Sequence, residues 1–454
     1  MLASRNPCSG EVVGELRCTP RDAIGDVVAR SANAGDRWSA MTLDERAQAI
    51  TTAAEALGDA AATLGRTSCL ETGKPLPVAI GEVKQAAAAT AAMATSAAEA
   101  LRSVSSRQGD LVARTVYDPY GVCAVLAPWN FPVWLAHCMV VPALCAGNTV
   151  VLKPSENTPL VGDAYARTLA ASLPPGVLTS VVGGPGVGEA LVAARVQLVA
   201  FTGSRATGKS ILRSASERLT RVIMELGGKD VLIVLDDADL AAAADFACRS
   251  AFFNSGQVCV SSERMLVDAR VEAKFVELLR ERAQRLRMGH GLTEGVDLGP
   301  LIHQGQFDRV AAHVTDACER GAEVVLGGPR QAEGLFFPPT ILRGVTPGMK
   351  IFHEETFGPV ANIITVHGED DAVAKANEGD YGLSAVVFGG DRSRAERVAR
   401  RLDVGMIGIN RPVTGARDTP WVGAKQSGYG FHGSPAGHRH FAQVRVLLAD
   451  APLA

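Results

Sequence analysis

The sequence predicts an α/β protein built on a doubly wound parallel sheet. The main observation is the regular alternation of apolar, strand-like runs with helix-compatible runs between residues 149 and 215, because such alternation is typical of parallel sheets. A second series of α/β units extends from Lys229 to Leu402. The length of 454 residues leaves room for about two or three domains, and 47% hydrophobic with 20% charged residues is typical of globular proteins.

The first third of the chain is predicted to be helical and then to form strands. From Pro20 to Leu101 the pattern is helical, and it ends in an alanine-rich stretch of high helix propensity. Residues 111–126 alternate like strands and turn near Pro119. Residues 131–147 form an apolar run that is too short to cross a bilayer and is interrupted by proline, which predicts a buried helix.

The alternating part follows directly. Its predicted elements are strand 149–154, helix 159–172, strand 178–184, helix 187–194, strand 197–203 and helix 208–215. Residues 437–454 contain a further alternating strand, which we expect to pair with another part of the chain or with another subunit.

Charge and cysteine usage restrict the function classes. The net charge is −3 without a long run of like charge, so we expect neither nucleic acid nor a membrane surface as a partner. The nine cysteines are odd in number, and none has C-x-x-C spacing. A zinc site and a disulfide framework are therefore not predicted, and no metal is expected. The first residues lack a signal-peptide pattern, so we expect a cytoplasmic location.

One short motif suggests nucleotide hydrolysis. Residues 203–210 read G-S-R-A-T-G-K-S and match the P-loop pattern, with Asp236 as the candidate strand-end acid for Mg²⁺. The alternative is a strand–glycine–helix turn whose helix N-terminus holds a phosphate of ATP, NAD or FAD. On that alternative Lys209 is a solvated residue of the first helical turn.

Seven other stretches decide between these alternatives. They are APWNFP (127–132), LKPSENTP (152–159), FTGS (201–204), MELGGK (224–229), FFNSGQVCV (252–260), HEETFGPV (353–360) and GAKQSGYG (423–430). In this order and spacing they resemble the NAD(P)-dependent aldehyde dehydrogenase superfamily, over nearly the whole chain. The P-loop match then resembles the pyrophosphate loop of that family, closed by Gly208.

The resemblance implies an aldehyde dehydrogenase-like α/β fold. A Rossmann-like coenzyme domain would comprise residues 1–102 and 120–226, and an α/β catalytic domain would comprise residues 227–427. A β-hairpin oligomerisation domain would comprise residues 103–119 together with the C-terminal strand in 428–454. The family also implies a homodimer or a homotetramer.

Three residues are predicted to carry the chemistry. Aldehyde oxidation needs a nucleophile so that a hydride can leave a tetrahedral carbon, and Cys259 is the candidate. Asn130, with the backbone N–H of Cys259, resembles the oxyanion donor of the family, and Glu225 resembles the base that activates water. The alternatives are a buried structural cysteine, a turn asparagine and a surface glutamate, or a catalytically silent relative.

The expected cofactor is NAD, with NADP as the alternative. Glu156 follows an apolar strand, where open α/β sheets bind ligands, and its carboxylate would repel a 2′-phosphate. The predicted cofactor-binding residues are Trp129, Lys153, Glu156, Gly186, Phe201, Gly203, Ser204, Leu226, Glu355 and Phe357.

The expected substrate is an uncharged aliphatic or aromatic aldehyde. Relatives that oxidise succinic semialdehyde carry arginines at the positions of Cys138 and Phe253, which are uncharged here. Trp134, Phe252 and Phe253 would line a channel that suits an apolar or aromatic tail. The predicted substrate residues are thus Trp134, Cys138 and Phe253. The alternative is a semialdehyde dehydrogenase of the succinic-semialdehyde type with a non-standard carboxylate anchor, for which Arg411 and Arg417 are the candidates.

Overall fold

The computed structural model describes residues 1–329, 334–415 and 418–450. The helices are α1 (Ile24–Ala40), α2 (Leu43–Asp59), α3 (Ala61–Thr72), α4 (Leu76–Ala100), α5 (Trp134–Cys145), α6 (Pro159–Ala170), α7 (Pro185–Ala193), α8 (Arg205–Ser216), α9 (Leu240–Phe252), α10 (Glu272–Ala283), α11 (Gln304–Glu319), α12 (Lys350–His353), α13 (Glu369–Asn377), α14 (Arg392–Ala399) and α15 (Pro435–Arg439), with a 3₁₀ helix at Phe253–Gly256. The predicted α/β class is confirmed.

The strands before residue 230 are β1 (Leu2–Arg5), β2 (Val12–Leu16), β3 (Val104–Gln108), β4 (Leu111–Pro119), β5 (Val122–Leu126), β6 (Thr149–Lys153), β7 (Leu178–Ser180), β8 (Leu198–Thr202) and β9 (Arg221–Glu225). The later strands are β10 (Val231–Val234), β11 (Arg264–Asp268), β12 (Glu323–Leu326), β13 (Thr340–Arg343), β14 (Val360–Val366), β15 (Tyr381–Gly382), β16 (Ser384–Phe388), β17 (Met406–Ile409), β18 (Trp421–Val422), β19 (Ala424–Lys425), β20 (Gly428–Tyr429), β21 (Phe431–His432) and β22 (Ala442–Ala449).

The first large sheet positions one half of the site. Its order is β20-β9-β8-β5-β6-β7, and all neighbours except β20 and β9 are parallel. Since parallel strands end at the same edge, Leu126, Lys153, Thr202 and Glu225 all lie at one edge of this sheet. Strands β5, β6 and β8 are buried throughout, as the apolar runs predict.

The second large sheet has the order β12-β13-β14-β11-β10-β16-β17. It is parallel apart from the β12–β13 pair. Cys259 lies between the 3₁₀ helix and β11, and Glu355 lies just before β14. The nucleophile candidate and the second cofactor loop therefore come from connections of this sheet.

A three-stranded sheet, β22-β4-β3, contains the predicted hairpin. Strand β22 pairs antiparallel with β4 from Ala442 to Ala449, so the last strand pairs within the chain. The structure differs from the predicted boundary at residue 428, because Gly428 pairs with β9 in the first large sheet and α15 packs against α4. The strand that joins the hairpin begins only at Ala442.

The apolar run at 131–147 forms the buried helix α5, which contains Pro142. The helix lies in a core cluster with α2, α4 and β6, where the indole N–H of Trp38 donates to the carbonyl oxygen of Leu144 at 3.0 Å. Among the described residues, no helix is long and apolar enough to cross a membrane.

Candidate active site

A cavity of about 600 Å³ lies at the carboxyl edge of the first large sheet. Such a volume is typical of a small-molecule site. Helix α8 begins beside it, and the Ser204 hydroxyl caps this helix by accepting the Thr207 backbone N–H at 3.2 Å. The helix dipole and its free N–H groups favour an anion here. The predicted cofactor residues that line this cavity are Trp129, Lys153, Glu156, Phe201, Gly203 and Ser204.

The glycines of this turn are required by close packing. A Cβ on Gly203 would lie 2.5 Å from the ring of Phe201, and one on Gly208 would lie 2.7 Å from the side chain of Leu226. Gly208 thus lets α8 pack closely on Leu226, a predicted cofactor residue that directly follows β9. The free helix end, the glycine turn and the volume fit a dinucleotide, so these residues would hold NAD or NADP.

Lys153 and Glu156 interact at the rim of this cavity. The Lys153 ammonium donates to the Pro154 carbonyl at 2.8 Å and to the Glu156 carboxylate at 3.3 Å. Burial lowers the pKa of Lys153, and the charge of Glu156 acts against that shift. The Glu156 carboxylate is thus partly neutralised, which weakens any repulsion of a 2′-phosphate.

Gly186 lies apart from the other predicted cofactor residues. Its carbonyl accepts Nε of Arg21 at 2.9 Å, and a Cβ there would lie 2.1 Å from the guanidinium. Its neighbours Pro185 and Gly188 line the cavity instead. A side chain at this position would collide with Arg21, and the role of Gly186 in cofactor binding stays a prediction.

A smaller cavity of about 210 Å³ adjoins the first, and the two share Trp129, Thr202, Gly203 and Ser204 as lining residues. It brings together side chains that are far apart in the sequence. The predicted residues that line it are Trp129, Asn130, Gly203, Ser204, Glu225, Leu226, Cys259, Glu355 and Phe357. All three predicted catalytic residues therefore lie on one cavity next to the dinucleotide-sized one.

Asn130 is buried and hydrogen-bonded on both sides. Its side-chain amide donates to the Gln257 carbonyl at 3.1 Å, and its backbone carbonyl accepts the Lys74 ammonium at 2.6 Å. The amide has a second N–H available to an oxyanion. These contacts hold the segment before α5 against the loop that carries Cys259.

Lys74 belongs to a buried ion pair. Its ammonium lies 3.0 Å from the Glu82 carboxylate and over the ring of Phe131 at 4.5 Å. The other oxygen of Glu82 accepts the backbone N–H groups of Val133 at 2.8 Å and Trp134 at 3.0 Å. This pair satisfies free donors at the start of α5 and so fixes the backbone that carries Asn130.

The loop before Cys259 is tightly folded. Asn254 and Ser255 have positive φ values of 51° and 56°, and Gly256 has φ 70°. A Cβ on Gly256 would lie 2.0 Å from the carbonyl oxygen of Gly358, so only glycine fits. Burial, followed by the charge of Glu225, raises the pKa of the Cys259 thiol well above its usual value. The resting thiol is therefore neutral.

Glu225 ends β9 with a buried carboxyl group. One oxygen accepts the indole N–H of Trp421 at 3.2 Å, while the other, Oε2, is buried without a hydrogen-bond partner. Burial raises the pKa of Glu225, although hydrogen bonds from the Trp421 N–H and the Cys259 thiol partly offset this shift. A carboxyl group with a raised pKa and one free oxygen can act as a general base near neutral pH.

The second cofactor loop carries Glu355 and Phe357. The Glu355 carboxylate accepts the Gly228 backbone N–H at 2.9 Å, and burial, followed by the charge of Glu263, raises its pKa to about 7. Phe357 has φ 53° and meets the ring of Trp129 edge-to-face at 5.6 Å. Its ring thus borders the junction of the two cavities.

A second buried ion pair holds this loop. Lys229 contacts the Glu263 carboxylate and donates to the Thr356 hydroxyl at 3.1 Å. Glu263 also accepts the backbone N–H groups of Thr356 and Phe357, each at 2.8 Å.

Sequence reasoning missed several residues of this site. His303, Gln306 and Arg309, at the start of α11, line the small cavity. Gln306 donates to the Thr356 carbonyl at 2.8 Å and the Phe357 carbonyl at 2.9 Å. The helix that carries these residues shows no motif of its own, so the sequence held no signal for them.

The predicted substrate residues are dispersed. Phe253 is 46% exposed, stacks on Phe131 with ring centroids 6.2 Å apart, and lines a mainly apolar cavity of about 520 Å³. Val258 and Val260, on either side of Cys259, line it too. Trp134 packs against the core cluster that contains much of α5, and Cys138 is buried near Glu225.

The structure gives little support for Arg411 as an anchor of a substrate carboxylate. Arg411 is exposed on the loop after β17, and its neighbour Pro412 lines the apolar cavity. Arg417 lies outside the described residues.

The P-loop hypothesis is wrong. Lys209 is exposed, and Asp236 follows β10, which belongs to a different sheet from β8. Its carboxylate pairs with Arg270 and with Arg394. Among the described residues, no group of three or more His, Cys, Asp or Glu side chains could hold a metal ion.

The joined cavities at the carboxyl edge of a parallel sheet place the protein among the nicotinamide-dependent oxidoreductases. The chain belongs to the aldehyde dehydrogenase family, whose family model matches residues 1–447. It is an oxidoreductase that acts on an aldehyde with NAD or NADP as the acceptor.

Its relatives cover almost the whole chain. It is 37% identical to the mitochondrial succinate-semialdehyde dehydrogenase of Arabidopsis thaliana, over 98% of this chain and 85% of the relative. It is 36% identical to a betaine aldehyde dehydrogenase of Cereibacter sphaeroides (strain KD131 / KCTC 12085), over 98% and 94%. The crystal structure of aldehyde dehydrogenase from Brucella melitensis biovar abortus 2308 superposes with a TM-score of 0.95 at 34% identity, over 100% of this chain and 94% of that one.

Proposed function

We propose that the protein oxidises its aldehyde through covalent catalysis by Cys259, with Asn130 as oxyanion donor and Glu225 as base. The observation that supports this most is that the three side chains line one cavity beside the dinucleotide-sized one. Bound NAD or NADP supplies the oxidised nicotinamide that accepts a hydride. Lys153, Glu156, Gly203, Ser204 and Glu355 would hold the cofactor.

The first half of the reaction forms a carbon–sulfur bond. Cys259 Sγ attacks the aldehyde carbon, and Glu225, which faces the thiol, takes the thiol proton. The carbonyl oxygen becomes negative and accepts hydrogen bonds from the Asn130 amide and the Cys259 backbone N–H. One such donor is worth about 3–4 kcal/mol in the transition state. Loss of a hydride from this carbon leaves a thioester on Cys259.

The second half hydrolyses the thioester. Glu225, once it has released the thiol proton to solvent, takes a proton from water, and the water oxygen bonds to the thioester carbon. The carbon–sulfur bond then breaks, the acid leaves, and Cys259 returns to the thiol. Per turnover, aldehyde, water and oxidised cofactor become acid, reduced cofactor and one proton.

Two variants test these assignments. Cys259→Ala should abolish NADH formation, because no carbon–sulfur bond can form. Glu225→Gln should give a burst of NADH followed by a stalled steady state, because thioester hydrolysis slows more than hydride transfer. Stopped-flow absorbance at 340 nm measures both phases. An unchanged turnover in Glu225→Gln would remove Glu225 from the base role.

For the substrate, we propose an uncharged aliphatic or aromatic aldehyde. The apolar cavity of about 520 Å³ beside Val258 and Val260 supports this, with Phe253 at its wall. The test compares kcat/KM for hexanal and benzaldehyde with that for succinic semialdehyde. A preference of about tenfold or more for the neutral aldehydes is expected, since a carboxylate is costly to bury unless Arg249, which also lines this cavity, pairs with it.

Succinic semialdehyde is the second candidate, because several relatives are named succinate-semialdehyde dehydrogenase. Arg249 on α9 lines the apolar cavity. Arg411 directly precedes Pro412, which also lines this cavity. If the semialdehyde is preferred, and Arg249→Ala or Arg411→Ala removes that preference, this candidate replaces the first.

We further propose the domain division given by the resemblance, except that the C-terminal strand of the hairpin sheet begins at Ala442. This sheet would be the oligomerisation unit of a homodimer or homotetramer. Strand β22 is an edge strand whose Val446 and Leu448 are 56% and 62% exposed, which is unusual for an unpaired edge. Val446→Asp should lower the mass measured by light scattering. Leu219→Asp, 86% exposed at a turn outside this sheet, is the control.

None of the nine cysteines, all of which lie in the described residues, forms a disulfide bond, which supports the proposal of a cytoplasmic location.

A further inference from the structure

Trp421 reaches the proposed base from the last third of the chain. It lies in β18, which pairs antiparallel with β21 so that Trp421 faces His432 in register. The neighbouring strand β20 pairs with β9 and places Gly428 opposite Glu225. These short strands fold back onto the end of β9, and this brings the half-buried indole to the Glu225 carboxyl group, with Nε1 3.2 Å from Oε1.

The two oxygens of Glu225 have different surroundings. Oε1 accepts the indole N–H, whereas Oε2 is buried and has no hydrogen-bond partner. A hydrogen bond to the charged form of a buried carboxyl group stabilises that form. The indole N–H on Oε1 also restricts the rotation of the carboxyl group, because a terminal sp² torsion is otherwise broad.

We infer that Trp421 is a positioning residue for thioester hydrolysis: its indole N–H holds Oε1 of Glu225 and leaves Oε2 to take the proton of the attacking water. This rests on the proposed role of Glu225 as base. The proton moves from water to Oε2 while the water oxygen bonds to the thioester carbon, and the sulfur of Cys259 then leaves with the electron pair of the carbon–sulfur bond. Trp421 itself touches neither the substrate nor the reacting atoms.

The groups that face Glu225 do not obscure its titration. The Cys259 thiol approaches it, but in the acyl-enzyme this sulfur is esterified and does not titrate. Cys138 on α5 lies near Glu225, and burial raises the pKa of its thiol far above neutrality. Burial, followed by His438, lowers the pKa of His432, the register neighbour of Trp421, to about 4. Glu355 lines the same cavity, and burial raises its pKa to about 7, so its charge also changes near neutral pH. Because Trp421 is not a hydrogen-bond partner of Glu355, a shift of the limb between variant and wild type reports on Glu225.

The experiment is the pH dependence of acyl-enzyme hydrolysis in Trp421→Phe, which keeps an aromatic ring and removes the donor. Acid-quenched samples analysed by intact mass follow the loss of the acyl group after one turnover. A hydrogen bond to a charged group is worth enough to shift a pKa by about one unit. We therefore expect the acid limb of hydrolysis to move up by about one pH unit, with about tenfold slower hydrolysis on that limb. The rates of hydrolysis in variant and wild type should converge at high pH, where Glu225 is charged in both proteins, and at that pH the rate of the NADH burst should also be unchanged.

Trp38→Phe is the matched control, because it also removes an indole donor from a buried acceptor, the Leu144 carbonyl, away from the site. It should lower thermal stability and leave the acid limb in place. If Trp421→Phe does not fold, replacement of Trp421 by 3-benzothienylalanine removes the N–H within nearly the same shape.

Three outcomes overturn the inference. The first is an acid limb that stays in place, and the second is a rate of hydrolysis that falls equally at every pH. The third is a change in KM for the aldehyde alone, which would place Trp421 in the substrate channel. Glu225→Gln separates this failure from that of the proposed function. If Glu225→Gln slows hydrolysis while Trp421→Phe leaves the limb unmoved, Glu225 keeps its role and Trp421 loses its own.

Discussion

Two buried lysine–glutamate pairs in the described part of the chain have the same design but act on opposite sides of the active site. In each, a carboxylate that pairs with a buried ammonium also accepts two consecutive backbone N–H groups, those of Val133 and Trp134 for Glu82 and those of Thr356 and Phe357 for Glu263. The Lys74–Glu82 pair holds the backbone of Asn130, and the Lys229–Glu263 pair holds the loop of Glu355 and Phe357.

The difference lies in what each lysine does with its remaining donors. Lys74 donates to the carbonyl of Asn130 itself, so its pair fixes a group proposed to act on the reacting oxygen. Lys229 donates to the hydroxyl of Thr356, and burial, followed by the charge of its partner Glu263, raises the pKa of Glu355. One pair should therefore control the chemical step, and the other the binding of the cofactor.

The largest expected effect is on stability in Lys74→Met. The change leaves the Glu82 carboxylate buried without its cation, so the free energy of unfolding should fall by about 3–5 kcal/mol. Urea denaturation followed by tryptophan fluorescence measures it. Lys274→Met, whose partner Glu277 is exposed, is the control and should change little. A loss as small as that of the control would mean that Glu82 is neutral when buried.

Glu355 gives the next largest effect through its pKa of about 7. Because the folded protein holds this proton while an unfolded glutamate, with its pKa near 4.5, releases it, stability is present at low pH and lost as the pH rises from about 4.5 to 7. The loss should be about 3 kcal/mol. Glu355→Gln should abolish it, so that the difference in free energy of unfolding between variant and wild type grows over this window. A difference that stays constant with pH would contradict the shift.

The third prediction separates the two pairs by kinetics. Glu82→Gln should slow the NADH burst by about tenfold or more, because a small displacement of Asn130 weakens the stabilisation of the oxyanion. Its dissociation constant for NAD should stay near that of the wild type. Glu263→Gln should instead raise the dissociation constant, measured by calorimetry, with a smaller change in the burst. Equal effects of both variants on both quantities would end the division of roles.

The smallest expected effect concerns the cofactor. Glu156→Ala should raise the kcat/KM ratio of NADP to NAD by about fivefold, since one rim charge is worth about 1 kcal/mol in water. Glu189→Ala removes a second carboxylate from the same cavity, but that one is paired with Arg21 at 2.9 Å. It should change the ratio less. A wild-type preference for NADP that Glu156→Ala leaves unaltered would refute the repulsion.

The sequence predicted the family and the strands and helices around the site because these depend on local patterns. The runs ending at Lys153 and Thr202 are continuous and apolar, as strands buried on both faces must be. Motifs around Cys259, Glu225 and Asn130 led to one cavity in the structure, while their catalytic roles remain predictions.

The residues that sequence reasoning missed act through tertiary contacts. Lys74 and Glu82 lie on a helical pattern that shows nothing of their burial, and Trp421 meets Glu225 only after the chain folds back through β20. Gly186 shows a related limit, since a glycine-rich turn indicates where the backbone is crowded but not which group crowds it, and here the guanidinium of Arg21 lies against the glycine.

The contact between Gly256 and the Gly358 carbonyl has a consequence for recombination between relatives. At 2.0 Å from that oxygen, no side chain is tolerated on Gly256, so the loop before Cys259 and the loop after Phe357 fit as matched backbones. A chimera with its crossover between them joins two loops shaped against different partners. Crossovers should therefore give active enzymes most often when both loops come from the same parent.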